Sequence, residues 1–200
     1  MKSNIIAIFF LCGYFATAQN LELGGYIGAN HSNWTSGPGF SSKRITGFNL
    51  GVSSEYSFAK KWATNTRLEF SQVGGKNFNE FRRVNFSNDN HVIKANYLGL
   101  KIDLRKYLGK LKPSWFCQLG MGTNYALSAK EFGVSITNDL KSRLDFQTQI
   151  GFGKKINIGS SINLELLVEY LRGWNKIIKI NTQSGMNQSY SLKVAVRKSI

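Results

Sequence analysis

From Leu21 onward the chain alternates apolar and polar residues in eight successive stretches. Leu164, Leu166, Val168 and Tyr170 alternate with Asn163, Glu165, Leu167 and Glu169, and Phe48, Leu50 and Val52 alternate with Asn49, Gly51 and Ser53. A period of two puts successive side chains on opposite faces of a strand, so each stretch has one apolar and one polar face. The pattern predicts strands over residues 21–30, 47–58, 62–72, 96–108, 114–127, 142–154, 160–174 and 187–200. The connections alternate between short (around Lys60-Lys61, residues 109–112 and 155–159) and long (31–46, 73–95, 128–141 and 175–186). Strands of about ten residues cross a bilayer, and short periplasmic turns with longer outer loops are the rule for barrels that do so. The expectation is an all-β fold: an eight-stranded antiparallel up-and-down transmembrane β-barrel with a packed polar interior.

Alternation also suits a soluble barrel with its apolar face turned inward around a ligand. Three features favour the membrane. Aromatic residues gather near the strand ends, with Phe58, Trp62, Trp115 and Phe152 on one rim and Phe70, Tyr125, Trp174 and Tyr190 on the other, as in interfacial girdles. The polar face is rich in glycine (Gly24, Gly28, Gly51, Gly99, Gly120, Gly122, Gly151, Gly153), which suits a narrow interior. No charge falls in the middle of the apolar face, where Lys or Arg would cost about 2–4 kcal/mol. At the N-terminus Lys2 precedes an apolar run from Ile5 to Phe15, and Ala16-Thr17-Ala18 follows. That layout is a secretory signal peptide over residues 1–18, leaving residues 19–200 as one outer-membrane barrel domain. Cys117 is then a single cysteine on the lipid face, which rules out an intrachain disulfide and a cysteine-based metal site.

The net charge of +15 is unevenly placed. The polar face carries the acids Glu22, Glu55, Glu69, Asp103, Asp145, Glu165 and Glu169 and the bases Arg67, Lys101, Arg105, Arg143, Lys193 and Arg197. Unpaired ions in a confined interior are expensive, so these groups should pair across strands into an ionic plug. That predicts neither an open pore nor an acid–base catalytic site.

The excess charge falls at the ends. The short-turn rim holds Lys60, Lys61, Lys106, Lys110, Lys112, Lys154, Lys155 and Lys198. The opposite side holds Lys43, Arg44, Lys76, Arg82, Arg83, Lys94, Lys130, Lys141, Arg172, Lys176 and Lys179, against Glu80, Asp89, Glu131 and Asp139. Such cations meet outer-membrane lipid phosphates, those of lipopolysaccharide among them, or an acidic envelope or secretion protein. Lys43, Arg44, Phe81, Arg82, Arg83 and Phe86 are the candidate loop-binding residues, and Lys60, Lys61, Lys110 and Lys112 the candidate periplasmic docking residues. Export and scattered charge argue against a nucleic-acid partner.

No motif supplies a cofactor or catalytic site. Gly120-x-Gly122 and Gly151-x-Gly153 lie inside alternating strands with no helix following, so no helix N-terminus is present to hold a phosphate. His31 adjoins Ser32, a residue pair some outer-membrane lipid A hydrolases use, but sequence neighbours on a strand point apart. The expectation is a non-enzymatic protein without metal or cofactor.

The stretch Tyr97-Leu98-Gly99-Leu100-Lys101-Ile102, the basic turn Gly109-Lys110-Leu111-Lys112-Pro113, then Trp115 and Gly120-Met121-Gly122, resemble the centre of the PorT-like outer-membrane β-barrel family of Bacteroidetes. Lys101 departs from that family, which often has Pro or an apolar residue near this point. The resemblance implies the same barrel and, through the founding member of that family, a link to type IX secretion and gliding. It transfers no functional residue.

Overall fold

The computed structural model describes residues 21–35, 41–76, 92–109, 114–131, 133–180 and 183–200. Ten strands are formed among them: β1 (Leu21–Thr35), β2 (Lys43–Ala59), β3 (Trp62–Lys76), β4 (Val92–Tyr107), β5 (Trp115–Glu131), β6 (Val134–Ser135), β7 (Leu144–Asn157), β8 (Ile162–Gly173), β9 (Ile178–Ile180) and β10 (Gln183–Ser199). Strands β1, β2, β3, β4, β5, β7, β8 and β10 each pair antiparallel with the next, and β10 returns to β1, closing an eight-stranded barrel. The closing seam is continuous from Glu22↔Ser199 to Thr35↔Met186. The two short strands lie at the long-connection end, β6 against β5 and β9 against β10.

The distribution of polarity is that of a soluble protein turned inside out. Arg67, Arg105, Arg197, Lys101, Lys155 and Lys193 are buried, as are Glu55, Glu69, Asp103, Asp145, Glu165 and Glu169. Ile27 and Met121 are each 69% exposed, and Leu119 is 65% exposed, within an outward belt of Leu, Ile, Val and Phe. A soluble barrel would leave this contiguous apolar face in water, so the alternation belongs to a membrane barrel.

Glycine makes room for the inward charges. Gly28 sits opposite Lys193, Gly24 opposite Arg197, Gly122 opposite Lys101 and Gly120 opposite Asp103. At Gly122 an added Cβ would come 2.7 Å from both the Leu100 carbonyl oxygen and Lys101 Cγ. The long side chain of one strand thus lies across the bare backbone of the next, which lets eight strands enclose this many charges.

Several strands run further toward the long-connection end than alternation predicts. β1 continues to Thr35 instead of residue 30, β3 to Lys76 instead of 72, and β4 starts at Val92 instead of 96. Above the apolar belt the outward face no longer meets lipid, so the pattern inverts while the backbone ladder continues: in β4 Ile93, Ala95 and Tyr97 turn inward and Lys94 and Asn96 outward. The interior there is closed by an apolar cluster of Trp34, Val73, Ile93, Ala95, Tyr97, Ala126, Ala129 and Ile177, with Ile136 and Leu140 packed against it.

Candidate functional site: a filled lumen between two cationic rims

Twelve inward charges resolve into two chains of alternating sign. In the first, Lys101 binds Glu69, Glu69 binds Lys193, Lys193 binds Glu169, Glu169 binds Arg67, and Arg67 binds Asp103, at 2.5–2.9 Å. In the second, Glu22 binds Lys155, Lys155 binds Glu55, Glu55 binds Arg105, Arg105 binds Glu165, and Glu165 binds Arg197, at 2.6–2.8 Å. Each chain has three acids and three bases and is neutral. Two amides join them: Arg197 donates to Asn65 Oδ1 while Asn65 Nδ2 donates to Asp103, and Arg105 donates to Gln118 Oε1 while Gln118 Nε2 donates to Glu169. Tyr26 and Tyr107 donate hydroxyl protons to Glu69 and Glu55. The guanidinium of Arg105 also lies 4.6 Å from the Phe116 ring centroid. Charges this well matched and hydrogen-bonded are the condition under which burial is tolerable.

Toward the long-connection end the plug gives way to neutral Asn, Ser and Gln side chains. One cavity there, lined in part by Asn30, Asn49, Ser71 and Gln147, holds about 10 Å³, and another beside Arg67 and Arg197 holds about 10 Å³. Each is the space of roughly one water. Apolar packing lies above the first, and the ion chains surround the second.

Two expected placements are corrected. Lys155, read as a rim cation, is buried and bridges Glu22 and Glu55, because β7 keeps its inward parity past residue 154 and ends at Asn157. Arg143, read as an inward base, is exposed just before β7 begins and donates to Asn138 Oδ1 at 2.9 Å. The interior still has seven acids and six bases. The surplus acid is Asp145, which has no ion pair among the described residues and accepts a hydrogen bond from Gln147. Asn65 and Gln118, which join the ion chains, were missed by the sequence reading, although both sit at inward parity, Asn65 between Glu55 and Asp103 and Gln118 opposite Arg105.

At the short-turn rim Lys60 and Lys61 form the exposed turn between β2 and β3. Lys106 lies over the Trp62 ring at 5.2 Å and Lys154 over Trp115 at 5.1 Å, with Trp115 stacked on Phe152 at 5.1 Å. At the other rim Arg44 lies 4.7 Å over Tyr190, which packs on Tyr170 at 5.1 Å, and Arg172 lies 5.7 Å over Trp174. Both sets of rim aromatics therefore carry cations, the arrangement suited to a lipid headgroup boundary. Lys43 is exposed at the start of β2. Phe81, Arg82, Arg83, Phe86, Lys110, Lys112 and residues 1–18 lie outside the described residues.

His31 and Ser32 are divided by the barrel wall. His31 is exposed with Nδ1 3.3 Å from Thr46 Oγ1, whereas Ser32 is buried and exchanges hydrogen bonds with the Gly74 backbone. Cys117 is exposed on the outward face.

A closed barrel with an apolar belt, aromatic rims and a charged interior defines an integral outer-membrane protein. The chain belongs to the outer membrane protein beta-barrel domain family, matched over residues 17–179. No curated protein matches it. Among solved structures it is similar to Neisserial surface protein A (15% identity, 89% of this chain and 97% of that one, TM-score 0.53) and to the outer membrane protein AlkL (11% identity, 90% of each chain, TM-score 0.50). It is also similar to the attachment invasion locus protein Ail of Yersinia pestis (19% identity, 89% and 99%, TM-score 0.46). Likeness at these identities concerns the fold alone. By the rule for such barrels, the end bearing the short turns faces the periplasm.

Proposed function

We propose that this is a non-enzymatic barrel that acts through its outer surface, in envelope integrity or in loop-mediated binding, and not as a channel. The observation that carries the reading is the lumen: two neutral ion chains, linked by Asn65 and Gln118, with cavities of about 10 Å³ beside them. A passage would have to break several buried ion pairs at once. What is left for contact with other molecules is the surface. Arg44, Arg172 and their aromatic partners suit outer-leaflet lipid, including lipopolysaccharide, and the composition of Phe81, Arg82, Arg83 and Phe86 suits an acidic ligand. Purified barrel reconstituted in planar bilayers should give no stepwise conductance. An R82Q/R83Q variant should lose binding to intact anionic surface material while remaining folded. Steady single-channel currents from the unmodified protein would overturn the reading.

A second reading is an accessory role in a type IX-like secretion system, which the PorT-like resemblance suggests. Its support is the exposed Lys60-Lys61 turn on the periplasmic side. Replacing Lys60, Lys61, Lys110 and Lys112 with Glu should then stop export of a class of secreted proteins with the barrel still assembled. An unchanged secretome in that strain removes this reading. The separation of His31 from Ser32 speaks against the lipid A hydrolase alternative, for which an unaltered lipid A mass spectrum in a His31→Ala strain is the check.

A further inference from the structure

The strand register brings together four lysines that the sequence scatters over residues 43–130. Lys43 on β2 lies directly opposite Lys76 on β3, and Lys94 on β4 lies directly opposite Lys130 on β5. Lys76 pairs with Val92, so Lys94 is its diagonal neighbour on the same face. All four are exposed, and none forms an ion pair among the described residues. Glu131 follows Lys130 and is half-buried beside Ile93, off the face that Lys130 presents. Directly opposed residues have Cβ atoms about 5 Å apart and diagonal ones about 7–8 Å, and like charges at the closer spacing oppose strand pairing. The barrel thus holds two repelling pairs side by side across four adjacent strands.

The height of the stripe decides what it can meet. Lys94 lies four residues beyond Leu98, an outward apolar residue of β4, and Lys76 six residues beyond Phe70 on β3. At about 3.3 Å per residue and a strand tilt of about 40°, these are roughly 10 and 15 Å above the belt. Headgroups occupy only about 5–8 Å beyond the hydrocarbon of each leaflet. Arg44 and Arg172 are held against rim aromatics and suit lipid phosphates, whereas Lys43 and Lys76 stand clear of that layer and Lys94 and Lys130 lie at its outer edge.

We infer that Lys43, Lys76, Lys94 and Lys130 form a docking stripe for an anionic polysaccharide on the outer side of the membrane. One exposed lysine binds one anion weakly, whereas a polymer with repeated anionic groups engages the row together and gains by multivalency. The inference rests on the reading of the outer surface as the place where this protein binds. It adds to that reading the partner's class and the residues.

The test is binding of dextran sulfate to detergent-solubilised barrel by thermophoresis, at low and at raised salt. The unmodified protein should bind, with affinity falling at least tenfold between about 50 and 300 mM NaCl as the charges are screened. K43Q/K76Q/K94Q/K130Q should bind at least tenfold more weakly while keeping its heat-dependent gel shift, whereas K141Q/R143Q/K176Q, elsewhere on the same outer end, should bind as the parent does. Equal losses in both variants would reduce the stripe to bulk charge and overturn it, as would full binding by the quadruple variant. Preference for poly-glutamate over dextran sulfate would make the partner a protein and overturn the assigned class. If R82Q/R83Q abolishes binding and the quadruple variant does not, the outer surface remains the binding site and only the stripe fails. If the unmodified protein binds no anionic polymer, the stripe fails, while the closed-barrel reading stands or falls on the bilayer recording.

Discussion

Lys155 and Arg143 bracket one strand and experience opposite surroundings. Lys155 Nζ sits between Glu22 and Glu55 with its side chain buried, while Arg143 reaches Asn138 at the exposed surface. Replacing one partner of a buried pair leaves the other charge uncompensated, at about 3–5 kcal/mol, whereas an exposed substitution usually changes stability by less than about 0.5 kcal/mol. Lys155→Met should therefore lower the urea midpoint of unfolding from lipid vesicles markedly, and Arg143→Met should leave it nearly unchanged. Equal midpoints for both would mean that the second ion chain does not hold as described. The inward set of charges was legible because each of the other acids and bases keeps strict parity with its neighbours along a strand. These two residues were misread because they lie at strand ends, where parity has meaning only if the ladder continues, and the apolar half of the pattern that would show this stops earlier. The pairing within the plug was not legible either. Arg67 meets Glu169 across 102 positions of sequence, a contact set by barrel closure and not by alternation.

For the strands, the sequence located all eight staves of the barrel and cut several short. What it lost was the part that stands above the belt, including the ends of β1 and β3 and the start of β4, together with the short strands β6 and β9. There water meets the outward side and apolar packing fills the inward one, so Trp34, Val73, Ile93 and Tyr97 are buried while their alternating partners have no need to be apolar. The lysine stripe lies in this same zone, which is why its juxtaposition had to come from register. The orientation of the strands can be checked directly. A protease site inserted between Lys60 and Lys61 should be cut only after the outer membrane is permeabilised. A site inserted beside Asn175, between β8 and β9, should be cut on intact cells, and the reverse pattern would invert the topology.

At the scale of the molecule, the ion chains bind strands that are not neighbours. Arg67 of β3 holds Glu169 of β8, Lys193 of β10 holds Glu69 of β3, and Lys155 of β7 holds Glu22 of β1. The eight-stranded wall and its filling therefore stand together, and unheated protein should run on SDS gels at a mobility distinct from the boiled form. A protein that runs identically before and after boiling would not be this barrel. There is also a consequence for how the chain is built. A half-inserted sheet, with β10 not yet on β1, would expose Glu69, Glu22 and Arg197 without the partners that lie across the lumen, and lipid cannot supply them. An incomplete or misregistered intermediate is thereby penalised in proportion to the charges it leaves unmatched. The charges that plug the finished barrel thus also disfavour, in energy, any chain whose last strand has not found its first.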